Sequence, residues 1–325
     1  MPPFFDPREG IVIRQPPGEG TGYWAGAPTV WYDAPSSTFY LAYRLRRPRR
    51  SETDRGVAPD RGGETRIAVS RDGVQFEDVW RAEKAQFDSP SIERCALVHT
   101  RDDRWHYFVS YVDGADGRWR TDRLEAGAIE LLDPAGRVPV FAAEPLGIEG
   151  VKDPKVVVVG SVYWMLLSYV PKPTDDVAAD AMHSTADVYN TGLLQSCTAV
   201  ASSFDTVHWQ WHGNAMRPEP ASGAWDAYAR RVSTVWTDGA MFVGFYDGSA
   251  SVEENYEERT GVAVSSDLMS FRSLTPAEPA IVSPDGSGSL RYVDVVQVGR
   301  TRWFYYEVAR ADGSHELRVS IVPQA

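Results

Sequence analysis

A short phrase that returns at long intervals constrains this chain most. Ala68-Val69-Ser70-Arg71-Asp72 is followed, four residues after its acid, by Phe76; Ala201-Ser202-Ser203-Phe204-Asp205 is followed by Trp209, and Ala263-Val264-Ser265-Ser266-Asp267 by Phe271. Asp72 and Asp205 lie 133 residues apart and Asp205 and Asp267 lie 62 apart, so the first interval holds two units. The period is therefore about 65 residues, and five units fill the 325 residues of the chain. A repeated supersecondary unit cannot bury its apolar face alone, so the copies must pack on one another.

Ahead of each tag position stands an apolar run, a turn and an aromatic run. In order these are residues 28–32 with 39–43, 91–99 with 105–111, 156–159 with 163–169, 232–236 with 241–246, and 292–298 with 303–307. Runs this short, rich in β-branched and aromatic residues and separated by turn residues, read as antiparallel strand pairs. With the tagged strand and a fourth edge strand each unit makes a four-stranded blade. The expectation is an all-β fold, a five-bladed β-propeller of four-stranded antiparallel blades, formed by residues 1–325 as a single domain. A β-sandwich or two β domains would not predict five evenly spaced copies. The fifth unit ends with a run at 317–322 and has no room for its fourth strand, while residues 10–15, GIVIRQ, form an orphan strand at the other end. These two are expected to pair and close the ring, which removes an exposed edge.

Composition narrows the function. A hydrophobic fraction of 43% with 12% aromatic residues excludes wholesale disorder. The formal net charge of −12 argues against a general nucleic-acid or anionic-membrane surface. No apolar run approaches the roughly 20 residues that span a bilayer, and the start MPPFFDPREG has neither a basic segment nor an apolar core, so a soluble, cytoplasmic protein is expected. Cys95 and Cys197 are too few for a disulfide framework and lack metal-binding spacing, and His183, His208, His212 and His315 are scattered. No metal or cofactor is indicated.

Loops carry the clue to a site. Residues 45–65, 170–192 and 247–260 are long connections between second and third strands, and in an up-and-down blade they share a face with the segments leading into each innermost strand. Those lead-in segments are 22–28, 87–93, 149–154, 225–231 and 286–291. The third runs into the charged cluster Lys152-Asp153-Pro154-Lys155, just before the four valines at 156–159. Alternation along a strand would place Asp153 and Lys155 on one face and Lys152 on the other.

These features resemble the five-bladed propeller glycosidases (arabinanases, β-xylosidases and invertase-like enzymes) and the related mannoside phosphorylases. The likeness rests on Asp153-Pro154 before a hydrophobic strand and Val162-Tyr163-Trp164-Met165, on Ala263-x-Ser265-x-Asp267-Leu268 before an aromatic, and on Phe245-Tyr246-Asp247-Gly248. It implies a carbohydrate-active enzyme with carboxylates from different blades facing one glycosidic bond, one protonating the leaving oxygen and the other activating water or attacking the sugar. Asp153 and Glu93 are then the central acids, with Asp226 and Asp294 as further catalytic candidates. Trp24 and Trp225 are candidate stacking surfaces, and Lys155, Arg230, Arg231 and Arg291 candidate substrate-binding cations. At most one of the neighbours Arg230 and Arg231 should face the centre. The first unit departs from the pattern: Ala27 stands where the glycosidases carry the acid that serves as base or nucleophile. The phosphorylases are similar but rely on a single Asp at the third unit and on phosphate held by basic side chains. A saccharide is the expected partner. The alternatives are a lyase, cyclase or isomerase of small-molecule biosynthesis on the same scaffold, and a sugar-binding module without catalysis.

Overall fold

The computed structural model describes residues 4–48 and 61–324. β1 (Ile11–Arg14) comes first, followed by β2 (Trp24–Asp33), β3 (Thr38–Arg46), β4 (Glu64–Ser70) and β5 (Glu77–Glu83). Next are β6 (Ile92–His99), β7 (Trp105–Val112), β8 (Trp119–Ala126) and β9 (Val138–Phe141), then β10 (Ile148–Val159), β11 (Val162–Pro171), β12 (Cys197–Ser203) and β13 (Gln210–Met216). The chain ends with β14 (Ala229–Asp238), β15 (Met241–Ser249), β16 (Arg259–Ser265) and β17 (Arg272–Ser273), followed by β18 (Leu290–Val298), β19 (Thr301–Ala309) and β20 (His315–Pro323).

β6–β9, β10–β13 and β14–β17 are three four-stranded antiparallel sheets. The other eight strands form one sheet, in which the sets β2–β5 and β18-β19-β20-β1 meet at a parallel bridge between Trp24 and His315. β1 pairs antiparallel with β20, Ile11 opposite Val319 and Arg14 opposite Leu317. The first strands touch in sequence: β2 lies against β6, β6 against β10, β10 against β14, β14 against β18, and β18 against β2. Apolar clusters fill the spaces between successive sheets; Ile92, Leu97 and Tyr107 meet Ile67 and Ala82 in one, and Leu166 and Val200 meet Val232 and Tyr246 in another. Among the described residues no helix is long and apolar enough to cross a membrane.

The recurring acid is a turn device. Asp72 accepts the N–H groups of Val74 and Gln75 at 2.9 and 2.7 Å, Asp205 those of Val207 and His208 at 2.9 and 2.8 Å, and Asp267 those of Met269 and Ser270 at 2.8 and 3.1 Å. The residue after each acid is left-handed, at φ 70° for Gly73, 62° for Thr206 and 65° for Leu268. A short carboxylate that bonds the backbone two and three residues on holds such a turn closed even without glycine.

Four of the five first strands begin earlier than the apolar runs suggest. β10 starts at Ile148 rather than at the valines, because the lead-in segment pairs in register with β11, Val151 opposite Tyr169. The third lead-in is thus strand and the first is strand from Trp24 on, whereas the other three join a strand only at Ile92, Ala229 and Leu290. Of the three long connections, most of residues 45–65 lies outside the described residues; the other two link β11 to β12 and β15 to β16.

Ile13 is 7% exposed and packs with Tyr305, Leu317 and Val319, which couples the two ends of the chain. Ile13→Ala should lower the unfolding free energy by about 2–3 kcal/mol, the usual cost of removing a buried aliphatic side chain. Denaturant titration reads this directly, and a loss below about 0.5 kcal/mol would mean that β1 is not bound to β20 in solution.

Candidate functional site

Each first strand carries a bulge at the same level. The pairing register slips between Gly26 and Thr29 in β2, Ile92 and Cys95 in β6, Lys152 and Lys155 in β10, Val232 and Thr234 in β14, and Arg291 and Asp294 in β18. Ala27, Glu93, Asp153 and Tyr292 therefore occupy one equivalent position. Three of them are left-handed, Ala27 at φ 52°, Asp153 at 58° and Tyr292 at 52°. Such a conformation costs a side-chain-bearing residue about 1–3 kcal/mol, so the surroundings must hold it. They do so through the preceding set of strands. Ala27 N–H donates to Glu307 Oε2, Asp153 N–H to Ser110 Oγ and Tyr292 N–H to Asp247 Oδ1, each at 2.9 Å.

Around these bulges lies a ladder of buried charges. Arg46 stands 3.5 Å from Glu93, Glu93 is 2.5 Å from Arg44, Arg44 reaches Glu307 at 3.4 Å, and Glu307 takes Arg291 at 2.8 Å. Arg291 then meets Glu258 at 2.6 Å, and Glu258 also pairs with Arg231. Burial alone would raise the Glu93 acid, but Arg44, Lys152, Arg46 and Arg291 outweigh it and hold the carboxyl at about 2. Burial opposes Glu258 in the same way, and Arg231 and Arg291 bring it to about 2. Both are ionised at neutral pH.

Asp153 stands outside this ladder. It is 4% exposed; its nearest cation is Lys152, with Nζ 3.9 Å from Oδ2, and the Tyr292 phenol donates to Oδ2 at 3.5 Å. Its Oδ1 is buried with no hydrogen-bond partner among the described residues. Arg44 Nη1 and Arg231 Nε are likewise buried and unpartnered. A carboxylate oxygen and guanidinium N–H groups left unpaired at such depth are costly unless a ligand completes them.

The expectation that Asp153 and Lys155 share a face, with Lys152 on the other, is corrected. The bulge sets two residues, Asp153 and Pro154, against one on β11, which breaks the alternation of faces. Lys152 consequently stays beside Asp153, with its ammonium over the rings of Trp119 and Tyr189 at 4.6 and 4.3 Å, while Lys155 turns to Asp294 at 2.7 Å. Asp294 is saturated by Lys155, Val30 N–H, Val295 N–H and the Thr234 hydroxyl. Asp226 is equally engaged, taking Arg230 through both oxygens at 2.8 and 2.9 Å and the Tyr246 phenol at 2.7 Å. Neither acid joins the Asp153 cluster, and Arg230 turns away from it while Arg231 enters. Trp24 is buried under His315, stacked at 4.7 Å, and under Arg46, 4.3 Å from its ring centre, so no face is left for a sugar. Trp225 stacks on Tyr246 and donates to the Thr275 carbonyl.

Several residues of the cluster were not among the site candidates the sequence offered: Arg44, Asp247, Glu258, Tyr292 and Glu307. Asp247 lies in the Phe-Tyr-Asp-Gly phrase, and its signal was present there. Arg44, Asp247 and Glu307 each lie two residues before the end of a second strand, Arg44 and Glu307 opposite the residue before a bulge and Asp247 opposite Arg231, one residue further back, positions that follow only once the register is known.

No protein-family model matches the chain, and no curated protein matches it by sequence. Solved structures do. One glycoside hydrolase superposes with a TM-score of 0.68 at 12% identity, covering 99% of this chain and 93% of its own. A glycosyl hydrolase from Bacteroides ovatus gives 0.64 at 14% identity, over 99% and 94% of the two chains. The β-1,2-mannobiose phosphorylase of Listeria innocua, solved with β-1,2-mannobiose, gives 0.61 at 17% identity, over 95% and 92%. The chain has their fold.

Asp247 is 1% exposed, and burial pushes its carboxyl up to about 7, against the pull of Arg231 and with the push of Glu258. A carboxyl raised on folding stabilises the native state below its unfolded value and loses that contribution as pH rises through 7. Asp247→Asn keeps an oxygen for Tyr292 N–H and removes the charge. It should gain stability over the parent by roughly 2 kcal/mol more at pH 8 than at pH 5. Equal differences at the two pH values would show that Asp247 is ionised throughout.

Proposed function

We propose that this chain is a carbohydrate-active enzyme acting on glycosidic bonds, a five-bladed propeller closed by β1, with Asp153 as its acid and phosphate as the nucleophile. The observation that carries the reading is the contrast among equivalent positions. Asp153 alone presents an unpartnered carboxylate oxygen, Glu93 is bound by two arginines, and Ala27 has no acid at all. The nearest substitute, Glu307, is clamped by Arg291, Arg44 and His315, which hold it ionised and engaged. A single acid without a carboxylate base favours a nucleophile that needs no deprotonation by the protein. Arg44 and Arg231, each with a free buried N–H, suit a phosphate oxygen.

In this scheme Asp153 gives its proton to the glycosidic oxygen as the bond to the anomeric carbon breaks. A phosphate oxygen forms the new bond to that carbon. The proton released by the resulting monoester returns to the Asp153 carboxylate. Products are a sugar 1-phosphate and the shortened saccharide. Saccharide as the substrate class is supported by the mannobiose bound in the Listeria phosphorylase.

β-Linked mannose disaccharides, offered with and without phosphate, test this. Wild type should release sugar 1-phosphate only with phosphate present, and Asp153→Asn should lose about 10²–10⁴-fold in turnover. Hydrolysis without phosphate would remove the phosphorolytic route, and near-normal turnover by Asp153→Asn would remove Asp153 from the chemistry.

A further inference from the structure

We propose that Tyr292 is the positioning residue for Asp153, its phenol fixing one carboxylate oxygen so that the other is presented to the reacting bond. The inference rests on the reading of Asp153 as the acid. Tyr292 fills the copy of the Asp153 position on β18, and both residues are left-handed there. Its backbone N–H is held by Asp247 Oδ1 at 2.9 Å, and its phenol reaches Asp153 Oδ2 at 3.5 Å, leaving Oδ1 unpartnered. The ring itself is anchored independently of the hydroxyl: the guanidinium groups of Arg291, Arg94 and Arg44 lie 5.0, 5.6 and 5.9 Å from its centre. Burial, Asp153 and Glu93 push the phenol well above its ordinary range, so it keeps its proton and stays a donor.

The contact therefore has two separable parts. The ring stabilises the cluster through its face, which phenylalanine reproduces. The hydroxyl serves Asp153, which phenylalanine does not. A group that orients the acid without touching substrate should act on kcat rather than on KM.

Tyr292→Phe tests this in the full chain. The expected result is a fall in kcat of about ten- to a hundredfold, the size of a misplaced catalytic group, with KM within about twofold. In an Asp153→Asn background the same substitution should add nothing. A rise in KM with kcat unchanged, or a full additional loss in the Asp153→Asn background, would overturn the proposal. A second measurement needs no turnover. In a folding double-mutant cycle, Tyr292→Phe and Asp153→Ala, which removes both carboxylate oxygens, should be non-additive by at least about threefold in the unfolding equilibrium constant. Additive effects would overturn the contact. Non-additive folding with no glycoside turned over by the wild type would instead retain the contact and remove the reading on which its catalytic meaning rests.

Discussion

One buried carboxylate, Asp294 on β18, fastens the centre of the molecule. Its oxygens take Val30 N–H of β2, the Lys155 ammonium of β10 and the Thr234 hydroxyl of β14. Arg94 of β6 completes the set, donating to the Pro28 carbonyl of β2 and the Ser233 carbonyl of β14. Five strands that share no ladder with one another are thus tied by two charged side chains. Pro28 and Ser233 both sit in bulges, where the slip in register frees carbonyls from their usual partners. The bulges and the buried charges depend on each other: without the slip Arg94 would lack acceptors, and without Arg94 the freed carbonyls would be buried unpaired. Breaking such an arrangement at one partner typically costs about 3–5 kcal/mol, because the other charge stays behind.

The same bulges create the cluster around Asp153. A regular strand would send alternate side chains to opposite faces; the slip turns Lys152, Asp153 and their counterparts into one crowded group. The ladder from Arg46 through Glu93, Arg44, Glu307, Arg291 and Glu258 to Arg231 alternates in sign, so that each glutamate lies between two arginines. What matters chemically is what the ladder omits. Among the described residues Asp153 has an ammonium at 3.9 Å and a phenol at 3.5 Å, both at Oδ2, and its Oδ1 is left without a partner.

Much of the architecture was legible because it rests on local signals. The tag acids Asp72, Asp205 and Asp267 bond within three residues of themselves, so their spacing reports directly on the repeat. The strand pairs follow from apolar runs for the same reason. Strand starts were less visible: β10 reaches back to Ile148 through glycine and charged residues that carry no strand signature. Side-chain direction near Asp153 was misread because a bulge leaves no compositional mark, and one extra residue reverses every face beyond it. The saturation of Asp226 and Asp294 was hidden too, since Asp294 finds its partners 60, 139 and 264 residues away.

Glu93 and Asp153 make the limit concrete. They occupy one structural position, both carry a carboxylate, and position alone would give them one role. The difference lies in the residue each meets on the preceding sheet: Arg44 for Glu93, 49 residues away, and Ser110 for Asp153, 43 residues away. An arginine there converts the acid into a fixed anion that helps hold the cluster together. A serine takes up only the backbone N–H and leaves Oδ1 of the carboxylate without a partner. The chemistry of each bulge is therefore set by the end of its neighbour's second strand, and Ala27 facing Glu307 and Tyr292 facing Asp247 follow the same rule.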